Sequence, residues 1–337
     1  MDFEKQLQFE HLAPMIGRTP LLAIDFTYRG QKRRIFAKAE WYNPTGSIKD
    51  RVAFYILQQA YERGEIHPDD IIVEATSGNT GISFSAIGRY LGHRVIIYMP
   101  DWMSRERIRL MESYGAQVRL VSRAQGGFLG SIAMTEELAR QGGVYLPRQF
   151  SNPDNTQAHI CTTGEEIVQQ LAALGLKADG IVAGVGTGGT AMGIGKRLQK
   201  ENPSCKIYPL EPLSSPTLST GYKVGNHRIQ GISDEFIPDI VKLDEMDDVV
   251  SVDDGDAIIM SRMLSEELGL GVGVSSGANF IGCIMAQEKQ SADAVIVTTF
   301  ADDNKKYLST DYAEPQPRKE GYLSNDVQLL GYTAYRF

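Results

Sequence analysis

Six short apolar runs punctuate the chain: Ile71 to Val73, Arg94 to Met99, Gln117 to Val121, Gly180 to Ala183, Lys206 to Leu210 and Ala294 to Thr299. Between them lie longer stretches whose apolar residues recur at helical spacing. Strands alternating with amphipathic helices can run in one direction only if each helix carries the chain back along the sheet. The pattern therefore predicts an α/β fold of open, largely parallel, twisted sheets with helices on both faces. At 337 residues and 42% hydrophobic content, the chain can bury a large core and is long enough for two domains.

Two loops point to a cofactor. Asn43-Pro44-Thr45-Gly46-Ser47 is turn chemistry, with Pro44 fixing φ and Gly46 freeing it, and the residues from Asp50 to Leu57 read as a helix. Lys49 stands at that junction, where the positive end of the helix dipole and Arg51 would both lower the pKa of an amine. A lysine between charged neighbours is ordinarily a surface ion-pair residue, so the second loop matters. Gly184-Val185-Gly186-Thr187-Gly188-Gly189-Thr190 follows an apolar strand and opens a helix, offering an anion a cradle of backbone N–H groups. An amine able to condense with an aldehyde, together with a nest for phosphate, points to pyridoxal 5'-phosphate. The same loop satisfies G-x-G-x-x-G through Gly184, Gly186 and Gly189, and the following strand ends in Glu211, so an NAD-dependent dehydrogenase is the alternative of another class.

Two further segments open helices. Glu74-Ala75-Thr76-Ser77-Gly78-Asn79-Thr80-Gly81 has more hydrogen-bonding side chains than one N-cap requires and would suit a substrate carboxylate. Val274-Ser275-Ser276-Gly277-Ala278 reads equally well as a serine N-cap.

Taken together, these residues resemble the fold-type II pyridoxal-phosphate enzymes, and within them the cysteine synthase (O-acetylserine sulfhydrylase) and cystathionine β-synthase family. The resemblance runs from Ile16-Gly17-Arg18-Thr19-Pro20-Leu21 to Tyr307-Leu308-Ser309-Thr310. It passes through the loops above and through Met103 to Arg107, Gln149-Phe150-Ser151-Asn152-Pro153, Thr162-Thr163-Gly164 and His227 to Ile232, all in family order. It implies a tryptophan synthase β-like architecture of two such sheets with the cofactor between domains. The smaller domain would span 45–152, the larger cofactor-binding domain 1–44 plus 153–312, and residues 313–337 would form a C-terminal arm or tail.

The resemblance also implies roles. Lys49 would form the Schiff base with the cofactor and remove the substrate Cα proton. Asn79 would hold the phenolic oxygen, Gly186, Thr187, Gly188, Gly189 and Thr190 the phosphate, and Ser275 the pyridine nitrogen. Thr76, Ser77, Gly78, Thr80 and Gln149 would grip the amino acid carboxylate. A hydroxyl at the ring nitrogen leaves it largely neutral, which disfavours transamination and racemisation and favours loss of a Cβ leaving group. The implied activity is β-replacement through an aminoacrylate intermediate on cysteine or O-acetylserine, with sulfide released or incorporated; hydrolysis of that intermediate would instead give elimination.

Where cysteine synthases usually show Gly-Ile-Gly-Ala-Gly-Phe-Ile-Pro, this chain reads Gly231-Ile232-Ser233-Asp234-Glu235-Phe236-Ile237-Pro238. The new polar residues are those of a solvated loop, or else Asp234 is catalytic. As general base for water it would turn cysteine into serine and hydrogen sulfide; as partner of a second ammonium it would serve a cystathionine β-synthase-type condensation.

A net charge of −8 argues against a nucleic-acid partner, and no run approaches a membrane span. No leader opens the sequence, so a cytoplasmic enzyme acting on a small amino acid is expected. The resemblance adds a homodimer. Three distant cysteines, Cys161, Cys205 and Cys283, give neither a disulfide framework nor a metal site, so no metal is expected.

Overall fold

The computed structural model describes residues 1–233 and 235–336. In chain order its strands are β1 (Leu21–Tyr28), β2 (Gln31–Ala39), β3 (Ile71–Ala75), β4 (Val95–Pro100), β5 (Gln117–Val121), β6 (Val144–Tyr145), β7 (Gly180–Gly184), β8 (Lys206–Pro212), β9 (Val250–Val252), β10 (Ile296–Phe300) and β11 (Val327–Tyr335). They form two sheets. One is four-stranded and wholly parallel, ordered β5-β4-β3-β6. The other is seven-stranded, ordered β11-β1-β2-β10-β7-β8-β9. It is parallel from β2 to β9, while β1 runs antiparallel to both β2 and β11. This is the expected α/β class, with an antiparallel edge that the sequence pattern did not signal.

The apolar runs became strands because parallel strands are covered on both faces. Every residue of β4 and of β10 is buried. Helices supply the covers, so each sheet has its own core: Phe26, Ile35, Phe280 and Phe300 belong to the large one, Val52, Ile56, Phe84 and Ile97 to the small one. The β1–β2 hairpin turns through Arg29 and Gly30, both in the left-handed region at φ 52° and 78°. That handedness matches the twist of the strands it joins.

Helix Asn79–Tyr90 follows β3, and helix Gly189–Glu201 follows β7. Both therefore begin on loops at the carboxyl ends of parallel strands, where α/β sheets place ligands. The two loops come from different sheets and wall one cavity. No described helix is long and apolar enough to cross a membrane.

Candidate active site

The Lys49 loop is held by hydrogen bonds. Gly46 sits at φ 77°, and a Cβ there would stand 2.7 Å from Asp303 Oδ2. Asn43 braces the turn, its amide donating to the Glu40 carbonyl at 2.8 Å while its Oδ1 accepts from Gly17 N at 2.8 Å. Helix Lys49–Arg63 begins at Lys49 itself, whose N–H points to Ser47 Oγ at 3.3 Å. Asp50, buried, accepts from Thr45 Oγ1 at 2.5 Å, Ser83 Oγ at 2.6 Å and Thr45 N at 2.8 Å. Burial nevertheless pushes its carboxyl above the ordinary range.

Arg51 differs from the expectation. Its guanidinium is held by Glu40, with Nε at 2.7 Å, and by Glu166, with Nη1 at 2.7 Å. Lys38 Nζ joins Glu166 at 2.7 Å. Two cations meet two carboxylates in a closed set, so Arg51 is not a bare charge beside Lys49. Burial alone would raise the Glu166 pKa, but hydrogen bonds and charge from Arg51 and Lys38 outweigh it and hold it at about 2.

The second wall is the 76–80 loop. Helix Asn79–Tyr90 starts with no side-chain cap, so the clustered hydroxyls are not spent on capping. Thr80 Oγ1 donates to Gln149 Oε1 at 2.6 Å, and Gln149 Nε2 donates to the Ala75 carbonyl at 2.8 Å. Asn79 Nδ2 reaches Asp302 Oδ2 at 2.8 Å. Glu74 lies beneath, accepting from Ala75 N at 2.9 Å and Gln149 N at 3.2 Å. Full burial pushes its carboxyl up to about 8, so it is largely protonated at neutral pH.

The third wall is the glycine-threonine loop. A Cβ on Gly186 would stand 2.5 Å from the Gly231 carbonyl oxygen, and one on Gly188 would stand 2.2 Å from Val241. Only glycine lets the backbone pack so closely and still bare its N–H groups at the start of the 13-residue helix Gly189–Glu201. Asn155 supports Thr187 and His159 supports Thr190 from behind. Neither support was foreseen, although Asn155 lies only two residues beyond the motif that ends in Pro153.

One cavity is lined by Lys49, by Thr76, Ser77, Gly78, Asn79 and Thr80, by Gln149, and by Gly186 and Thr187. Gly188, Gly189 and Thr190 form the bend and first helical turn beneath it. Ser275 is outside that lining; it is buried in the first turn of helix Val274–Lys289, whose N-cap is Gly273. The serine is therefore not the cap that local sequence allowed. The residues fit pyridoxal phosphate: an amine-bearing side chain faces a backbone anion cradle across one cavity. Buried Asn79 Oδ1 and Ser276 Oγ also have no hydrogen-bond partner. The dinucleotide reading fares worse. Glu211, which would have to meet a ribose, is buried and accepts from Leu218 N at 2.8 Å and Ser219 Oγ at 2.5 Å.

A wider cleft of about 510 Å³ lies outside and shares Ser77, Arg107 and Gly231 with the inner cavity. Arg107, which sequence reasoning passed over as a site residue, is buried there, and its guanidinium lies 4.9 Å from the centre of the Tyr307 ring. Asp234 falls outside the described residues. Its neighbour Ser233 occupies the left-handed region at φ 55°, a conformation that costs a serine ~1 kcal/mol. Hydrogen bonds from its N–H to the Val185 carbonyl at 2.8 Å and from its Oγ to the Ser215 carbonyl at 3.0 Å hold it there. Glu235 is paired with Lys223 at 3.3 Å. The described residues contain no group of His, Cys, Asp or Glu able to hold a metal ion.

Comparison with known proteins agrees with this geometry. Residues 12–302 match the family model described as pyridoxal-phosphate dependent enzyme. The chain is 37% identical over 305 residues to a cysteine synthase of Staphylococcus aureus, covering 90% of this chain and 97% of that one. Among solved structures, a hydrogen sulfide-producing enzyme from Fusobacterium nucleatum superposes with a TM-score of 0.96 at 60% identity, covering 98% of this chain and 100% of that one. An aspartate-to-asparagine mutant of a hydrogen sulfide-producing enzyme, in complex with an alpha-aminoacrylate intermediate, gives a TM-score of 0.97 at 59% identity with the same coverage.

Proposed function

Because the chain belongs to the pyridoxal-phosphate dependent enzymes, we propose that it catalyses β-replacement on cysteine- or O-acetylserine-type amino acids, with sulfide released or incorporated. The observation that carries the proposal is the single cavity in which Lys49 faces both the 76–80 loop with Gln149 and the Gly186–Thr187 cradle. When bound, pyridoxal phosphate supplies an aldehyde carbon for amines and a ring that withdraws electrons from Cα.

The protein's own residues do the rest. The Lys49 amine anchors the coenzyme and then moves the Cα proton of the substrate. Backbone N–H groups from Gly186 to Thr190, with the hydroxyls of Thr187 and Thr190, hold the phosphate at a helix N-terminus. Asn79 and Ser275 orient the ring. Thr76, Ser77, Gly78, Thr80 and Gln149 bind the substrate carboxylate, and the bond between Thr80 and Gln149 ties two of these groups together before substrate arrives. We assign residues 45–152 to the smaller domain, 1–44 plus 153–312 to the larger, and a homodimer to the assembly.

A second reading specifies water as the nucleophile, with Asp234 as its general base, and the mutant complex of the 59%-identical hydrogen sulfide-producing enzyme favours it. Purified enzyme given cysteine should then yield serine and hydrogen sulfide, whereas O-acetylserine with sulfide should yield cysteine. Pyruvate as the sole carbon product from either mixture would refute β-replacement. Asp234→Asn should release sulfide in a first turnover without forming serine, and undiminished serine would refute the role of Asp234. Lys49→Ala should lose the visible coenzyme band that borohydride bleaches in the parent enzyme, along with at least about 10³-fold in activity.

A further inference from the structure

Two side chains behind the glycine-threonine cup take part in no step above, and both Asn155 and His159 are 0% exposed. They come from one segment, the short helix Pro153–Ala158 and the π-helical turn His159–Gly164 that continues it. This segment packs tightly on helix Gly189–Glu201: a Cβ on Gly193 would stand 2.6 Å from that of His159. Asn155 Nδ2 donates to Thr187 Oγ1 at 2.9 Å and to the Gln149 carbonyl at 2.8 Å. His159 Nε2 lies 3.2 Å from Thr190 Oγ1, and its Nδ1 lies 2.9 Å from Thr163 Oγ1.

A hydroxyl has one proton to give and two lone pairs with which to accept. An amide nitrogen only donates, so Thr187 Oγ1 accepts from Asn155 and keeps its own proton for another acceptor. For Thr190 the ring of His159 decides. With the proton on Nε2, Thr190 accepts and its hydrogen is left for a ligand; with the proton on Nδ1, Thr190 must donate into the ring and is lost to the ligand.

We infer that Asn155 and His159 are positioning residues which, by donating into Thr187 and Thr190, turn both hydroxyl protons toward the coenzyme phosphate, with the ring proton of His159 on Nε2. Thr163 then donates to Nδ1, which gives both ring nitrogens of His159 a partner. Burial, and after it the charges of Lys49 and Arg51, push the imidazole well below its ordinary range, so a single proton is shared between the two nitrogens' choices. Asn155 also links the cup to Gln149, so one amide sets both the phosphate side and the carboxylate side of the cavity. The inference rests on reading residues 186–190 as the phosphate cup.

Two measurements test it. In full-length holoenzyme labelled with nitrogen-15 at histidine, the His159 signals, identified by comparison with His159→Gln, should show the proton on Nε2. A proton on Nδ1 would overturn the inference without any variant having to fold. The resolved full-length chain can also be titrated with pyridoxal phosphate and with pyridoxal, which lacks the phosphate. Asn155→Leu and His159→Phe should each weaken pyridoxal phosphate binding on the order of tenfold and leave pyridoxal binding unchanged. His159→Gln, whose amide still donates, should stay within about threefold of the parent protein. Equal losses for both ligands would reduce the two residues to packing and refute the inference. Equal affinity of the parent protein for both ligands would refute the cup reading itself, and the inference with it.

Discussion

Behind Lys49 the structure joins two cations and two carboxylates, buried Lys38, Arg51 and Glu40 with half-buried Glu166, whereas behind the Gly186–Thr190 cup the supporting side chains are a neutral amide and an imidazole. The first wall must keep one shape whether or not a ligand is present, so its charges are matched internally. An unmatched arginine there would carry a heavy desolvation cost. Under the proposed function the second wall receives its charge from outside. Backbone dipoles and hydroxyls stabilise an arriving dianion without leaving a buried cation alone before it arrives. The 76–80 loop lies between these extremes, since Glu74 escapes the cost of a buried charge by keeping its proton.

The largest expected effect would break the first wall. Arg51→Met leaves buried Glu40 and half-buried Glu166 without their main partner and should lower unfolding stability by ~3–5 kcal/mol in urea titrations. A loss no larger than that of a single-hydroxyl deletion in the cup, Thr187→Val, would erase the contrast.

Next comes Glu74, because its folded pKa of about 8 lies above the ordinary 4.5. A carboxyl raised in this way keeps its proton in the folded chain and loses it in the unfolded one. Its stabilisation is therefore complete below about pH 4.5 and is lost as pH climbs toward about 8. Glu74→Gln cannot ionise, so the stability difference between parent and variant should change by on the order of 4–5 kcal/mol across that window. A difference that stays flat with pH would show that Glu74 is already ionised when folded.

The smallest effect belongs to Thr80. Thr80→Val removes the 2.6 Å bond to Gln149 and, under the proposed function, a contact to the carboxylate. It should raise KM about tenfold while changing stability by ~1 kcal/mol or less. A change in kcat alone would place Thr80 in the chemical step instead.

The parts of this architecture that were legible beforehand are those whose signals are local. Runs such as Ile71 to Val73 and Ala294 to Thr299 read as strands because a strand covered on both faces is apolar throughout. β2 opens with Gln31-Lys32-Arg33-Arg34 and gave no such signal; it becomes a strand because β1 and β10 pair with it on either side. β11, largely exposed along its length, is a strand only because it adds to the edge of β1. The helix starts at Asn79 and Gly189 were visible for the opposite reason, since a turn, its glycines and its hydroxyls fall within a few consecutive residues.

By itself the sequence determined the alternation of strand and helix, the placement of Lys49 at a helix start and the glycine spacing of the cup, since each depends on neighbours only a few residues apart. The tertiary structure alone decided that Arg51 answers Glu40 and Glu166, that Asn155 and His159 stand behind Thr187 and Thr190, and that Glu211 is occupied. Hydrogen bonds and burial depend on which groups share a volume, and most of these partners lie more than thirty residues apart or on different elements. Until the chain packs, nothing in their order tells which of them will share it.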